Sequence, residues 1–224
     1  MSTNYTTLTG QRRLKVESIR DLTDSTYVVR LEKGDFPFTA GQCVLLGLAG
    51  SAQHREYSVY SPVGAPYLEV LVKAVENGDV SNRLKTCSAG TALEVEGPVG
   101  FFTLDDADVA GAPVVFIASG TGISPFHCMI GSHPDLNYTL VHGVRTPAEA
   151  YDRECFAPER YTVCTSRDAG GDYSGRVSAY LEQAPIATDA RYYLCGNAAM
   201  IDDVYDILAR KGVDADNIRA EVYF

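Results

Sequence analysis

Val114-Val115-Phe116-Ile117-Ala118-Ser119-Gly120-Thr121-Gly122-Ile123-Ser124-Pro125 passes from an unbroken apolar run into a glycine-rich turn and then into a helical pattern. A run such as Val114 to Ala118, without polar alternation, fits a strand buried on both faces, the signature of a parallel sheet covered by helices. Glycines in the turn allow close backbone approach. A helix N-terminus just beyond offers unpaired amides and partial positive charge to an anion. Pro125 falls in the first helical turn, where its missing N–H costs nothing. The third glycine of the dinucleotide fingerprint is absent, so the segment reads as a variant nucleotide-binding turn.

Outward from this stretch the pattern repeats. Tyr138 to His142, Tyr161 to Thr165 and Tyr192 to Cys195 are further apolar strands, and helices are expected after Ser124, Pro147, Gly175 and Asn197. Residues 106–224 therefore read as a doubly wound parallel α/β domain. The Asp-, Ala- and Gly-rich stretch Leu104 to Pro113 reads as a linker. Toward the N-terminus the period changes to short strands: Leu14 to Ile19, Thr26 to Leu31, Gln42 to Leu46, Tyr57 to Tyr60, Leu68 to Val72 and Ala92 to Val95. Turn residues such as Gly34-Asp35, Gly64-Ala65-Pro66 and Gly97-Pro98 separate them, and one helical insertion is expected from Ser81 to Lys85. Residues 1–105 thus read as an antiparallel β-barrel. The fold class is two-domain, β followed by α/β.

The chain has 224 residues, 46% hydrophobic and 21% charged, with a formal net charge of −10. No apolar run approaches the roughly 20 residues that span a bilayer, and the first residues show no cationic-then-apolar leader. A cytoplasmic protein with no membrane association is expected. Residues 1–105 carry 10 Lys and Arg against 12 Asp and Glu, whereas residues 106–224 carry 9 against 17. An acidic chain without a basic stripe argues against nucleic-acid binding. In the near-neutral first part, Arg12, Arg13, Lys15, Lys73, Arg83 and Lys85 are candidates for docking an acidic partner. The six cysteines are dispersed, with no Cys-x-x-Cys and no clustering with the four histidines, so no metal site is expected. His54, His127, His133 and His142 fit no triad or ligand spacing and read as structural. The common hydrolase motifs are absent.

Chemistry-bearing residues fall in three places. Arg55-Glu56-Tyr57-Ser58 puts a cation, a flat aromatic and a hydroxyl in one extended run, with Arg55 and Tyr57 on one face. That arrangement suits a flavin nucleotide, with the guanidinium on phosphate oxygens and the ring stacked; alone, it also fits an edge strand with a surface arginine. Arg145, Arg167 and Arg176 stand where strands of the second domain end or helices begin, which is where open α/β sheets bind ligands. With the Ser166 hydroxyl they suit a phosphate, most plausibly the 2′-phosphate that separates NADP from NAD; ordinary surface pairing with Asp and Glu is the other reading. Cys195, in Tyr192-Tyr193-Leu194-Cys195-Gly196-Asn197, ends a strand and is expected to face the same crevice, just before the helix containing Met200.

Taken in order, Phe38-Thr39-Ala40-Gly41-Gln42, Arg55-Glu56-Tyr57-Ser58, Gly78-Asp79-Val80-Ser81, Gly97-Pro98-Val99-Gly100, Gly120-Thr121-Gly122-Ile123-Ser124-Pro125, Cys195-Gly196-Asn197 and Glu221-Val222-Tyr223-Phe224 make the chain resemble the ferredoxin–NADP reductase family, in particular its bacterial ferredoxin/flavodoxin branch. The resemblance spans nearly the whole chain and implies FAD and NADP as cofactors. It implies that Arg55 binds the FAD pyrophosphate with Gly78, Val80, Ser81 and Asn82, that Tyr57 stacks on the flavin, and that Glu56 and Leu71 add strand contacts. Ser58 would lie near flavin N5. Thr121, Gly122, Cys195, Gly196, Asn197, Met200 and Glu221 would surround the nicotinamide end of the nucleotide, and Arg145, Ser166, Arg167 and Arg176 would hold NADP. Catalytic roles are implied for Ser58, Cys195, Glu221 and Tyr223. Tyr223 would cover the second flavin face and Phe224, in place of a frequent tryptophan, would pack on adenine. The implied reaction exchanges hydride between NADPH and flavin, then single electrons with ferredoxin or flavodoxin; the expected state is a monomer. A flavin reductase or the reductase component of an oxygenase shares the plan. Oxygenase reductases commonly add an iron–sulfur domain with clustered cysteines, a pattern absent from these 224 residues.

Overall fold

A computed structural model describes residues 10–76 and 78–223. The chain divides into two compact units, Met1–Thr103 and Leu104–Phe224.

The first unit holds six antiparallel strands: β1 (Arg12–Asp21), β2 (Thr26–Glu32), β3 (Cys43–Leu48), β4 (Arg55–Ser58), β5 (Tyr67–Lys73) and β6 (Ala92–Val99), ordered β4-β3-β6-β1-β2-β5. A bridge between Val59 and Val70, with the Tyr60 amide donating to the Glu69 carbonyl at 2.7 Å, ties the end of β4 to β5 and closes the barrel. Closure removes the two edges that an open sheet would leave. Val28, Val29, Leu31, Val44, Leu46, Val70, Leu93 and Val95 fill the interior. One helix, α1 (Asp79–Lys85), buries Val80 and Leu84. The Tyr27 hydroxyl of β2 donates to the Ser81 carbonyl, fixing this helix to the barrel.

The second unit contains α2 (Asp106–Val109), β7 (Val114–Ser119), α3 (Ser124–Ser132), β8 (Tyr138–Val144), β9 (Tyr161–Thr165), β10 (Tyr173–Ser174), α4 (Val177–Gln183), β11 (Arg191–Asn197), α5 (Ala198–Arg210) and β12 (Ile218–Tyr223). Its six strands are all parallel, in the order β10-β9-β8-β7-β11-β12. One face of the sheet packs Ile117, Val141 and Leu194 against Val177, Leu181, Ile201, Val204 and Leu208 of α4 and α5. On the other, Phe116 stacks on Phe126 of α3 at 4.6 Å and meets Tyr193 at 5.8 Å. The chain winds from β7 toward β10, then returns to β11 on the far side of β7. The strand order therefore reverses at β7, and the carboxyl ends of β7 and β11 flank the crevice where such sheets bind ligands.

Two expectations are corrected. The segment after Pro147 forms three short 3-10 turns, Pro147–Glu149, Arg153–Cys155 and Pro158–Arg160, in place of an α-helix; Pro158 and the αL backbone at Asp152 interrupt any longer helix. The stretch read as a linker is instead built into the second unit. Asp108 on α2 is fully buried, accepting hydrogen bonds from the Tyr193 hydroxyl (2.6 Å), Arg191 (2.9 Å) and the Asp105 amide (2.9 Å). Asp105 receives both guanidinium nitrogens of Arg219, at 3.0 and 2.6 Å. These residues clamp the amino ends of β11 and β12.

Removing one member of a buried charged network leaves its partners uncompensated. Asp108→Ala is therefore expected to lower stability by about 3 kcal/mol, read as a lower urea midpoint of the second unit, whereas Asp106→Ala on the exposed side of α2 should change it little.

Candidate functional site

The turn after β7 and the turn after β11 are built as a pair. Gly122 lies so close to β11 that a Cβ there would collide with the Cys195 carbonyl, and a Cβ on Gly196 would collide with Ser119. The Asn197 amide donates to Ser119 Oγ at 2.9 Å. Asn197 then caps α5, its side-chain oxygen accepting from the Ala199 amide at 3.1 Å. The glycines of both sequence motifs thus serve the same end, letting two strand termini and two helix starts converge. Thr121 is half-buried and Gly122 buried at this joint, while Met200, in the first turn of α5, packs against the core.

The arginines gather at the next strand ends. Beyond β8 and β9 the backbones stay joined, the Ser166 amide donating to the Val144 carbonyl at 3.0 Å and the Arg167 amide to the Arg145 carbonyl at 2.9 Å. Arg145, Ser166 and Arg167 are therefore neighbours, and Arg176 sits at the N-cap of α4, whose preceding Gly175 amide bonds the Thr165 carbonyl at 2.8 Å. All four side chains are exposed. Among the described residues, the guanidinium groups of Arg145, Arg167 and Arg176 meet no carboxylate. In the same acidic unit Arg153, Arg191, Arg210 and Arg219 are all engaged by Asp or Glu. Three cations left unneutralised among surplus carboxylates form a ready anion site.

Cys195 differs from its expected exposure. It is fully buried, pairing in register with Ala118 on one side and Glu221 on the other, and its thiol is hydrogen-bonded to Tyr223. Burial and the Glu221 carboxylate push its pKa well up, so the group is a neutral thiol. Tyr223 and Glu221 are themselves half-buried, on β12. Phe224 lies outside the described residues.

In the barrel, β4 carries Arg55 and Glu56 exposed, Tyr57 half-buried and Ser58 buried. The Arg55 guanidinium donates to the His54 carbonyl at 2.9 Å and meets no acid among the described residues. The Cys43 thiol donates to the Glu56 carboxylate at 2.7 Å. Burial pushes the Tyr57 phenol up to about 12, and Tyr57 lies near enough to Tyr27 to raise that phenol too. Since Tyr27 is bonded to Ser81, the ring of Tyr57 and the start of α1 share one corner of the barrel. Gly78 precedes α1 without a side-chain cap, Val80 is buried, Ser81 Oγ accepts from the Val75 amide at 3.4 Å, and the Asn82 amide group donates to the Val75 carbonyl at 3.1 Å. Leu71 is buried in β5, paired with Val28. Of the docking candidates, Arg12 is paired with Asp35, Arg13 with Glu94, Arg83 with Asp79 and Lys85 with Asp21. Lys15 and Lys73 carry no such pairing among the described residues.

His142 gave no signal in the sequence beyond its place in an apolar strand. Its ring is fully buried, with Nε2 2.8 Å from the Gly120 carbonyl and Nδ1 2.8 Å from the Tyr161 hydroxyl. Burial pushes its pKa down to about 4.

A barrel strand carrying an arginine and an aromatic, in a unit that also holds an uncapped helix start, and paired glycine turns with unneutralised arginines in the other unit, fit a flavin nucleotide and a nicotinamide nucleotide respectively. Comparison with known proteins agrees. Residues 13–104 match the oxidoreductase FAD-binding domain and residues 116–206 the oxidoreductase NAD-binding domain. Ferredoxin–NADP reductase B of Sorangium cellulosum is 35% identical, over 93% of this chain and 96% of that protein. The reductase subunit of an aromatic O-demethylase from Amycolatopsis is 30% identical over 83% of this chain, which spans 61% of that protein's length. In fold, a ferredoxin NADP+ reductase from Neisseria gonorrhoeae with bound FAD and NADP superposes with a TM-score of 0.86 at 22% identity, covering 96% of this chain and 99% of that one. The two units define a flavoprotein oxidoreductase. The chain belongs to the ferredoxin–NADP reductase family, with an FAD-binding barrel and an NAD(P)-binding α/β unit. No helix among the described residues is long and apolar enough to cross a membrane, and no cluster of metal-binding side chains occurs among them.

Gly122→Ala should force the two turns apart and raise the nicotinamide-nucleotide KM at least tenfold, with FAD content unchanged by absorbance. For His142, the folded pKa of about 4 lies below the ordinary 6.5, so between these values the unfolded chain takes up a proton that the folded one refuses. Stability is then lost as pH falls from about 6.5 toward 4, by roughly 3 kcal/mol at the lower end. Urea unfolding of the wild type and His142→Gln across this window should show the wild type losing more stability on acidification.

Proposed function

We propose that the protein is an FAD-dependent ferredoxin or flavodoxin–NADP reductase. The observation that carries this reading is the group of three arginines without acid partners, joined by Ser166, at the carboxyl ends of β8 and β9. A 2′-phosphate brings close to two negative charges, and a site for it needs cations not already neutralised within the fold. Bound FAD supplies the hydride-accepting ring and the passage from two-electron to one-electron chemistry. Arg55, Glu56, Tyr57, Ser58, Leu71, Gly78, Val80, Ser81 and Asn82 would hold it. Arg55 would meet the pyrophosphate, Tyr57 would stack on the ring, and Ser58 would bring its hydroxyl toward the reacting edge. The nucleotide's nicotinamide end would be received by Thr121, Gly122, Cys195, Gly196, Asn197, Met200 and Glu221, with Phe224 proposed to pack on the adenine.

The neutral Cys195 thiol suits a neighbour of the nicotinamide ring, since a thiolate would add to that ring. Tyr223, now bonded to the thiol, would have to give way as the ring enters, making it a gate. Partner choice is proposed on the same basis. Lys15 and Lys73 are the docking candidates whose charge stays available to an acidic carrier such as ferredoxin or flavodoxin. A second reading, the reductase component of an oxygenase, draws on the likeness to the Amycolatopsis O-demethylase subunit.

Anaerobic mixing of the yellow protein with NADPH or NADH tests the assignment. Rapid flavin bleaching by NADPH, and much slower bleaching by NADH, is expected; the reverse order would overturn the NADP reading. Arg167→Ala should lower kcat/KM for NADPH by roughly 10- to 100-fold, the worth of one charged hydrogen bond, and leave NADH almost unaffected. Tyr223→Ser should change the rate of flavin reduction and weaken discrimination between the two nucleotides.

A further inference from the structure

We infer that His142 is a positioning residue for the nucleotide loop, holding the Gly120 carbonyl so that the turn after β7 keeps the shape that receives the dinucleotide. The inference rests on the nucleotide-binding role given above to that turn, and it assigns work to a residue whose ring is fully buried.

The hydrogen-bond chemistry leaves one arrangement. A backbone carbonyl only accepts, so Nε2, 2.8 Å from the Gly120 oxygen, must carry the ring proton. Nδ1 then presents a lone pair, and the Tyr161 hydroxyl 2.8 Å away must donate to it. The carbonyl thereby fixes the tautomer, the Tyr161 hydroxyl satisfies the remaining lone pair and holds the ring in place, and His142 holds the carbonyl. The chain of bonds crosses three neighbouring elements, from β9 through β8 to the turn following β7, where Ala118 is paired with His142 and Ser119 with Gly143. The Tyr161 ring meets the imidazole edge-on through this hydroxyl, with ring planes 20° apart and centroids at 6.1 Å, and Tyr151 closes another side at 6.3 Å. The ring thus has fixed partners at both nitrogens and aromatic neighbours besides.

What it holds is a left-handed and otherwise unsupported point. Gly120 has φ +54 and nothing within 4 Å of where its Cβ would stand, so side-chain packing does not set its conformation. The turn it opens, Gly120–Ile123, contains both Thr121 and Gly122. Ser119 on one side of Gly120 is secured by the Asn197 amide, and Gly122 on the other by contact with β11. The His142 bond is a third anchor, coming from β8 on the opposite side of β7. Burial keeps the imidazole neutral through the physiological range, so the donor and acceptor roles of its two nitrogens stay assigned.

The test uses the full-length, FAD-loaded protein and ferricyanide, which needs no docking surface, as electron acceptor. His142→Leu fills the space without a donor, His142→Gln restores an N–H at similar reach, and Tyr161→Phe removes the hydroxyl that holds Nδ1 and orients the ring. Loss of one buried hydrogen bond with its partner left unsatisfied corresponds to roughly a tenfold change. His142→Leu should therefore raise the NADPH and NADH KM by a common factor of about ten, with kcat within about twofold and FAD content unchanged. His142→Gln should recover most of that loss, and Tyr161→Phe should fall between. Wild-type KM in His142→Leu, or a glutamine variant no better than the leucine one, would overturn the inference and leave a packing role. If His142→Leu does not fold, an unchanged KM in both Tyr161→Phe and His142→Gln relative to wild type, or equal losses in the two, would overturn it as well. A wild-type protein that accepts electrons from neither nucleotide would instead remove the functional reading beneath it.

Discussion

The hydrogen bond from the Asn197 amide to Ser119 Oγ, made possible by two glycines that admit no Cβ, is the constraint around which the second unit is organised. It joins the ends of two adjacent parallel strands whose connections leave in opposite directions. Two helix N-termini then open beside each other, Ser124 at the start of α3 and Ala198 at the start of α5. Partial positive charge from both is concentrated at one place without any cationic side chain. The buried Cys195, the Glu221 and Tyr223 positions of β12, and the Gly120 carbonyl all take their places from this joint, because register along β7, β11 and β12 carries it outward.

Much of this architecture is legible in the order of residues alone. Val114 to Ala118 and Tyr192 to Cys195 announce buried parallel strands because nothing polar interrupts them, and the dense punctuated strands before residue 100 announce an antiparallel barrel. The arginines are legible as well, since their positions at strand ends follow from the strand pattern. Other features are hidden for definite reasons. Asp108 sits in a polar stretch that looks like a linker; only the arrival of Arg191 and the Tyr193 hydroxyl, more than 80 residues away, makes its burial favourable. His142 lies in an apolar strand, and its two partners, 19 and 22 residues away, are brought to it by strand pairing. Tyr223 can be read as half of a flavin-covering pair, but its hydrogen bond to Cys195 depends on β12 lying parallel beside β11, a pairing that its short mixed pattern Ile218–Tyr223 does not reveal.

Charge is distributed with a direction along the parallel sheet. At the amino ends of β11 and β12, Arg191 and Arg219 are locked to Asp105 and Asp108 in a network that holds α2 in place. Beyond the carboxyl ends of β8 and β9, Arg145, Arg167 and Arg176 lack such partners among the described residues. The same residue type therefore does opposite work at the two ends. In the barrel the contrast recurs on a smaller scale, with Arg30 held by Glu69 and stacked on Tyr67 while Arg55 meets only a backbone carbonyl.

On the nucleotide-binding role proposed for the rim, this separation leaves cofactor preference free to change. Side chains that hold no ion pair of the fold can be exchanged with little loss of stability, so Arg145, Arg167 and Arg176 can drift toward a different nucleotide while the clamp around Asp108 keeps the scaffold intact. Natural relatives of this architecture should accordingly differ most in charge along that rim and least around the buried aspartate, and a redesign of specificity has its natural starting place there.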